Sequence, residues 1–219
     1  MIDPKTLHFL TQLAQNNQKE WFHENKEQYD AARKNFIDLS SEILEQLKTI
    51  QANLIHTDVK KCILRINRDI RFSKDKRPYK TYLGAGFGPG GKSSGLADFY
   101  LQIEPNGKSF LGGGLWAPSA QGLANWRQEI DYDPSRLKGI IEDKTFRNYF
   151  KEISGSKLKT KPKGYDADHP EIELLRYKEL FFFKYYSDME VCQPDFIDEI
   201  VRGCILLKPY LDYVNEIVF

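Results

Sequence analysis

Cysteine, methionine and histidine are scarce in this chain of 219 residues, which holds three, two and four of them. Cys62, Cys192 and Cys204 are odd in number, widely spaced and in no CxxC pair. That pattern argues against a disulfide framework or a zinc knuckle and fits reduced thiols in a reducing compartment. His8, His23, His56 and His169 show no H-E-x-x-H or H-x-H spacing, so neither a metal site nor a cofactor is expected. No stretch approaches the roughly eighteen apolar residues of a membrane helix. The opening Met1-Ile2-Asp3-Pro4-Lys5 also lacks the apolar centre of a secretion signal, so a soluble, cytoplasmic protein with no membrane partner is expected. Neither sign of charge dominates: 32 Lys and Arg stand against 31 Asp and Glu. A pI near 7.7 is unlike the basic balance of a dedicated duplex-DNA binder. Nothing in the sequence fixes an oligomeric state.

What is abundant is apolar and aromatic, at 41% and 13% of residues, enough for a packed core. Asp3-Pro4 reads as an N-cap and first-turn pair for a short helix carrying Leu7, Leu10 and Leu13, which Asn16-Asn17 should end. From about Gln18 to Gln51, Phe22, Tyr29, Phe36, Ile43 and Ile50 recur every seven residues, predicting one long amphipathic helix with a break, if any, near Ser40-Ser41. Strand-like segments follow over 61–72, 81–87, 97–104 and 108–116, with short turn-forming connections that favour antiparallel pairing. Helical patterns return over 120–130, 134–141, 145–153 and 170–180; 181–186 reads as a further strand. A final helix opens at Pro194 and should kink or end at Pro209. The expected fold is α+β, an antiparallel sheet of about four to six strands flanked by N-terminal and C-terminal helices, in a single domain over residues 1–219.

The near-neutral total hides a local excess. Between Lys60 and Lys80 there are nine Lys or Arg and two Asp, a net of +7, while the remaining 23 basic and 29 acidic residues sum to −6. Read as a strand, this segment puts Cys62, Leu64, Ile66, Arg68, Ile70 and Phe72 on one face, and Arg65, Asn67, Asp69 and Arg71 on the other. Arg68 then falls among apolar neighbours and needs a structural ion-pair partner, for which Glu20, Glu24, Glu27 or Asp30 are available on the long helix. Arg65 and Arg71, with Asp69 orienting them, form a row whose guanidinium forks suit a carboxylate or phosphate.

The run R-x-x-R-D-x-R-F-S-K-D-K-x-P-Y-K, from Arg65 to Lys80, resembles the signature of a bacterial and fungal family known only as a conserved domain of unknown function. Asn16-Asn17 with Trp21-Phe22, the strand over 99–104 followed by Gly112-Gly113-Gly114-Leu115, Pro162-Lys163-Gly164-Tyr165, and His169-Pro170 with Leu174-Leu175 are similar to that family's other landmarks, in order. The resemblance spans nearly the whole chain and implies one full-length domain. It implies no particular activity, cofactor or catalytic residue.

Two further motif matches have the wrong surroundings. Gly86 to Ser93 satisfies the P-loop pattern letter for letter, and Gly91-Lys92-Ser93-Ser94-Gly95 satisfies G-x-S-x-G, but a strand-like segment follows where either motif needs a helix. One Gly/Ser hairpin loop explains both. His169, beside Asp166 and Asp168, is a candidate base that a capping role explains at least as well. The alternating Lys157, Lys159, Lys161 and Lys163 read as a solvated edge, unless they fold beside Arg71 and Lys76. Gly112 to Gly114 suggest a bulge or close backbone approach.

The function expected from these residues is binding of a small phosphate- or carboxylate-bearing molecule by Arg65, Asp69, Arg71, Lys76, Tyr79 and Lys80, with Arg68 as a structural ion. Whether a reaction is catalysed, with Asp69 or His169 as base, stays open. Two alternatives also stay open: single-stranded nucleic-acid binding, with Phe72, Tyr79 and Tyr82 stacking on bases, and a structural module whose arginines are all internally paired.

Overall fold

A computed structural model of the chain describes residues 1–219. The fold is α+β: ten α-helices and a five-stranded antiparallel sheet. In chain order the elements are α1 (Pro4–Gln15), α2 (Lys19–Glu24), α3 (Lys26–Ile50), α4 (Val59–Cys62), β1 (Leu83–Phe87), β2 (Phe99–Ile103), β3 (Ser109–Leu115), α5 (Ala120–Tyr132), α6 (Ser135–Ile141), α7 (Lys144–Phe150), β4 (Ile153–Ser154), α8 (Ile172–Leu175), β5 (Leu180–Tyr186), α9 (Asp188–Val191) and α10 (Phe196–Val218). The sheet order is β1-β2-β3-β5-β4. No helix is long and apolar enough to cross a membrane.

The chain divides into two compact units. The first comprises Met1–Ser94, Tyr100–Leu111 and Tyr185–Arg202. Asp3 caps α1 by accepting from the Lys5 N–H at 2.8 Å, with Pro4 in the first turn. Its buried stripe, Thr6, Leu7, Phe9, Leu10 and Leu13, follows the helical period. The long helix expected from Gln18 is two helices, and the break falls at Asn25 rather than near Ser40-Ser41. At Asn25 the backbone leaves helical geometry (φ −105°, ψ 21°), and its side-chain amide donates to the Trp21 carbonyl at 2.8 Å beside its own N–H at 3.0 Å, a local side-chain bond of the kind that suits asparagine to helix ends. α3 then runs unbroken through Ser40 and Ser41, burying Ala32, Phe36, Leu39, Ile43 and Leu47 along one face.

The second unit comprises Gly95–Phe99, Gly112–Lys184 and Gly203–Phe219. Here Gly112 has a steric reason: a Cβ on it would sit 2.6 Å from the Phe182 carbonyl oxygen and closer still to the Phe183 ring. The segment expected to be helical over 170–180 keeps only the single turn α8 before β5 begins. α10 continues through Pro209, where a kink or stop is expected from the missing N–H. The carbonyl that loses its donor belongs to Ile205, a residue that is 50% exposed. Beyond the proline, Tyr210, Leu211, Tyr213 and Val214 are all buried. That burial, at about 1.5–3 kcal/mol for each large apolar side chain, offsets a proline cost of about 3 kcal/mol.

Candidate functional site: a cationic cleft beside an irregular hairpin

The basic segment is not a continuous strand. Lys61 and Cys62 close α4, and beyond them only two isolated antiparallel bridges form, Ile63 with Ala85 and Asn67 with Tyr79. Between these legs, Arg68 N–H donates to the Pro78 carbonyl at 2.9 Å and Lys80 N–H to the Ile66 carbonyl at 2.8 Å. The strict alternation expected from the sequence therefore fails. Cys62, Ile63 and Ile66 are buried, whereas Phe72, expected on the core face, is 95% exposed at the tip. The residues from Asp69 to Arg77 instead make a loop whose shape comes from charge pairing.

That loop uses the same device twice. Asp69 accepts from the main-chain N–H of Arg71 and grips its guanidinium at 3.0 and 2.7 Å. Asp75 does the same for Arg77, with its shortest contact at 2.7 Å. These are bidentate forks closed over one intervening residue, Ile70 in the first and Lys76 in the second. The side-chain bond from Arg71, seconded by its N–H, holds the Asp69 carboxyl below the usual carboxylate range, and Arg77 acts likewise and more strongly on Asp75. Asp75 also takes Arg68 at 2.9 Å, while Arg68 Nη1 donates to the Arg77 carbonyl at 2.9 Å. The carboxylate that serves Arg68 thus comes from seven residues along the same loop, not from the long helix. Lys76 Nζ caps the Ile70 carbonyl at 3.0 Å.

Tyr79 anchors the second leg. Its N–H donates to Asn17 Oδ1 and its carbonyl accepts from Asn17 Nδ2, both at 3.0 Å, and its ring stacks on Phe22 at 4.1 Å. Asn17 thereby replaces a missing strand partner for a buried residue. A concavity of about 390 Å³ beside this leg is lined by Arg68, Asp69, Asp75, Arg77, Tyr79, Lys80, Thr81 and Tyr82. Both of its arginines pair with one of its carboxylates, Asp75.

The other side of the hairpin is different. An open cleft of about 570 Å³ is lined by Tyr29 and Arg33 from α3, by Ile63 to Asn67, by Lys80 and by Lys92. It holds four cationic side chains and no carboxylate. None of the four is in an ion pair. Lys80 Nζ donates to the Arg65 carbonyl at 2.6 Å and Lys92 Nζ to the Lys61 carbonyl at 3.1 Å. Burial first, and then the positive charges of Arg65 and Lys92, push the Lys80 pKa down. Tyr29 moves the other way, because burial outweighs the nearby Arg33 and Lys26. Asp69 in the neighbouring loop feels the Arg65 charge, but no carboxylate lines the cleft itself; such a cationic concavity attracts oxyanions, and its size is that of a small-molecule site.

Of the six residues expected to bind an anion, Arg65 and Lys80 line this cleft together. Asp69 and Arg71 are paired with each other, Lys76 is turned to the loop backbone, and Tyr79 is buried against Phe22. Arg33, Lys92, Tyr29 and Asn67 supply the rest of its polar lining. Arg33 and Tyr29 sit one turn apart on α3 with nothing in the sequence to link them to the basic segment. Lys92 is visible in sequence only as the lysine of the P-loop match. That match is not a phosphate loop here. No helix follows it, and the N–H groups of Gly90, Gly91 and Lys92 are donated to Thr57, Gly88 and Lys61. Gly91, at φ +103, lies so close to Lys61 that a Cβ would stand 2.5 Å from its carbonyl oxygen. The turn therefore delivers Lys92 to the cleft.

His169 closes the turn that leads into α8: Nδ1 accepts from the Glu171 N–H at 3.0 Å, and Nε2 lies 3.0 Å from Asp131. The carboxylate facing the ring is thus Asp131, rather than Asp166 or Asp168. Lys157 pairs with Glu173 at 2.9 Å, and Lys161 donates to the Tyr165 carbonyl. No group of three or more His, Cys, Asp or Glu is placed to hold a metal ion.

No curated protein and no solved structure matches the chain. Residues 5–213 match the family described as "Conserved hypothetical protein (DUF2461)", which spans the helices, the hairpin and the cleft, and the chain belongs to that family.

Proposed function

We propose that the protein binds a small phosphate- or carboxylate-bearing molecule in the cleft between α3 and the hairpin. The observation that carries this reading is the gathering of Arg33, Arg65, Lys80 and Lys92 around one concavity without a carboxylate among them. Like charges held together cost free energy that a bound oxyanion recovers; burial, and after it the charges of Arg65 and Lys92, already lowers the Lys80 pKa. Arg65 supplies a fork, Lys80 and Lys92 supply point charges, and Asn67 and Tyr29 supply neutral hydrogen-bonding groups. Asp69, Arg71, Lys76 and Tyr79 support the site by shaping the hairpin. A thermal-shift screen of phosphorylated and polycarboxylate metabolites tests the reading. Wild type should gain stability with a subset to which Arg65→Ala does not respond; identical responses of the two proteins to every compound would refute it.

A second reading has one specific observation in its favour. Phe72 is 95% exposed at the tip of a loop rich in Arg and Lys, with the Arg71 guanidinium 5.8 Å from its ring centre. An exposed aromatic among cations suits stacking on a base of single-stranded nucleic acid. Its mark is an oligonucleotide affinity that falls steeply with salt and drops in Phe72→Ser; oligonucleotide binding absent at low salt would rule it out.

A further inference from the structure

Lys80 differs from the other three cations of the cleft in its chemistry and its setting. Arg33 and Arg65 carry guanidinium groups that stay protonated and are poor nucleophiles. Lys92 is exposed on the glycine-rich turn. Lys80 is partly buried in the hairpin, its main-chain N–H fixed to the Ile66 carbonyl at 2.8 Å and its Nζ held 2.6 Å from the Arg65 carbonyl. The charges that act on it are those of two cations, Arg65 and Lys92. The group is therefore an amine held at a defined point, with cations at its flanks and space for a small molecule before it.

We propose that Lys80 is a reactive amine that forms an imine with small aldehydes or ketones carrying a carboxylate or phosphate, the anionic end resting on Arg65, Arg33 and Lys92. This inference rests on the oxyanion reading of the same cleft. Three elements bring other polar side chains to the cleft. From its own hairpin comes Arg65, from the turn Lys92 and from α3 Arg33 and Tyr29. Desolvation together with the charges of Arg65 and Lys92 favours the neutral amine, the form with a lone pair to donate, and a lysine beside another cation in a desolvated site is an established route to such a nucleophile.

The step balances within the cleft. After Nζ gives up its ammonium proton to solvent, its lone pair attacks the carbonyl carbon; the N–C bond forms as the C=O π pair moves to oxygen. One amine hydrogen passes to that oxygen, giving a carbinolamine. The C–O bond then breaks, the nitrogen lone pair closes the C=N bond, and the oxygen leaves as water with the second amine hydrogen. No oxidant or reductant is consumed. Guanidinium groups near the anionic end hold the carbonyl in reach of the amine, as positioning groups rather than reactants.

Reductive trapping tests this. The full-length protein is incubated with glyoxylate and sodium cyanoborohydride, and the added carboxymethyl group is located by peptide mass mapping; propanal serves as a neutral aldehyde. The proposal predicts that glyoxylate marks Lys80 ahead of every other lysine, that inorganic pyrophosphate protects it, and that propanal shows no such preference. Lys80→Arg should lose the label. Glyoxylate label spread evenly over the lysines, or a Lys80 label that pyrophosphate does not reduce, overturns it. Calorimetry with pyrophosphate on the same wild-type sample separates the two claims. Binding with a scattered label sinks the imine alone, whereas no binding and no selective label sinks the oxyanion reading as well. The wild-type map and its protection decide the matter even where Lys80→Arg fails to fold.

Discussion

Replacing Asn17 by Ala removes the one side chain that serves both main-chain polar groups of Tyr79. Asn17 is 8% exposed and Tyr79 6%, so the abandoned N–H and carbonyl have little solvent to turn to. Leaving a buried donor or acceptor unpaired costs about 1–3 kcal/mol, which gives about 2–5 kcal/mol for the pair after partial relaxation. In a chain of this length each kcal/mol lowers the melting temperature by about 2–4 °C, so Asn17→Ala should melt about 5–15 °C below wild type. Thermal and urea denaturation followed by circular dichroism read this directly. The same variant should speed hydrogen exchange at the Tyr79 amide and weaken anion binding, because Lys80 follows Tyr79 in the leg that Asn17 anchors. Asn17→Asp keeps the acceptor for the Tyr79 N–H but turns a carboxylate oxygen toward the Tyr79 carbonyl, and should fall at least as far. A melting temperature for Asn17→Ala within about 1 °C of wild type would refute the anchoring role.

Three further outcomes follow from the hairpin and its neighbours. The Asp75 carboxyl should titrate well below the ordinary Asp range, chiefly because of Arg77, so its pairing with Arg68 and Arg77 persists above that range and is lost only as pH falls through the lowered folded-state value; carboxyl NMR checks this, and an unchanged midpoint in Arg77→Ala would contradict it. Gly91→Ala should destabilise more than Gly90→Ala: both residues have positive φ, worth about 1–2 kcal/mol against alanine, but only at Gly91 does the added carbon also strike the Lys61 carbonyl. Equal melting temperatures for the two variants would count against the packed turn. Phe72→Ser should leave the melting temperature within the scatter of surface substitutions, about 0.5 kcal/mol, and a larger loss would mean that the tip is packed rather than presented.

The α+β class and most elements were legible because periodicity and turn chemistry are local. β1, β2 and β3 lie within the segments expected to be strands, β5 begins one residue before its expected segment of 181–186, and the stripe of α3 buries Phe36 and Ile43 as the seven-residue spacing implies. Two misreadings have separate causes. At Asn25 the backbone leaves helical geometry and the side-chain amide joins the residue's own N–H on the Trp21 carbonyl, while at Pro209 burial on the far side of the proline outweighed one lost hydrogen bond. The basic segment failed as a strand for a third reason. Alternation assumes a regular ladder, and here two Asp–Arg forks fold the chain back on itself, sending Phe72 out and bringing Asp75 to Arg68. Within the candidate site, Arg65 and Lys80 were visible because they lie in the dense cationic run. Arg33 and Lys92 were not, since their place beside Lys80 depends on tertiary packing: α3 against the hairpin, and a glycine turn against Lys61.

Isothermal titration of pyrophosphate into wild type and Arg65→Ala at low salt asks whether the cations between α3 and the hairpin form an oxyanion site. The account predicts saturable binding at one site per chain in wild type, weakened in Arg65→Ala by about tenfold to a hundredfold, the value of one or two charged hydrogen bonds at about 1.5–3 kcal/mol in all. Binding of equal strength in both proteins, or none in wild type, would contradict it.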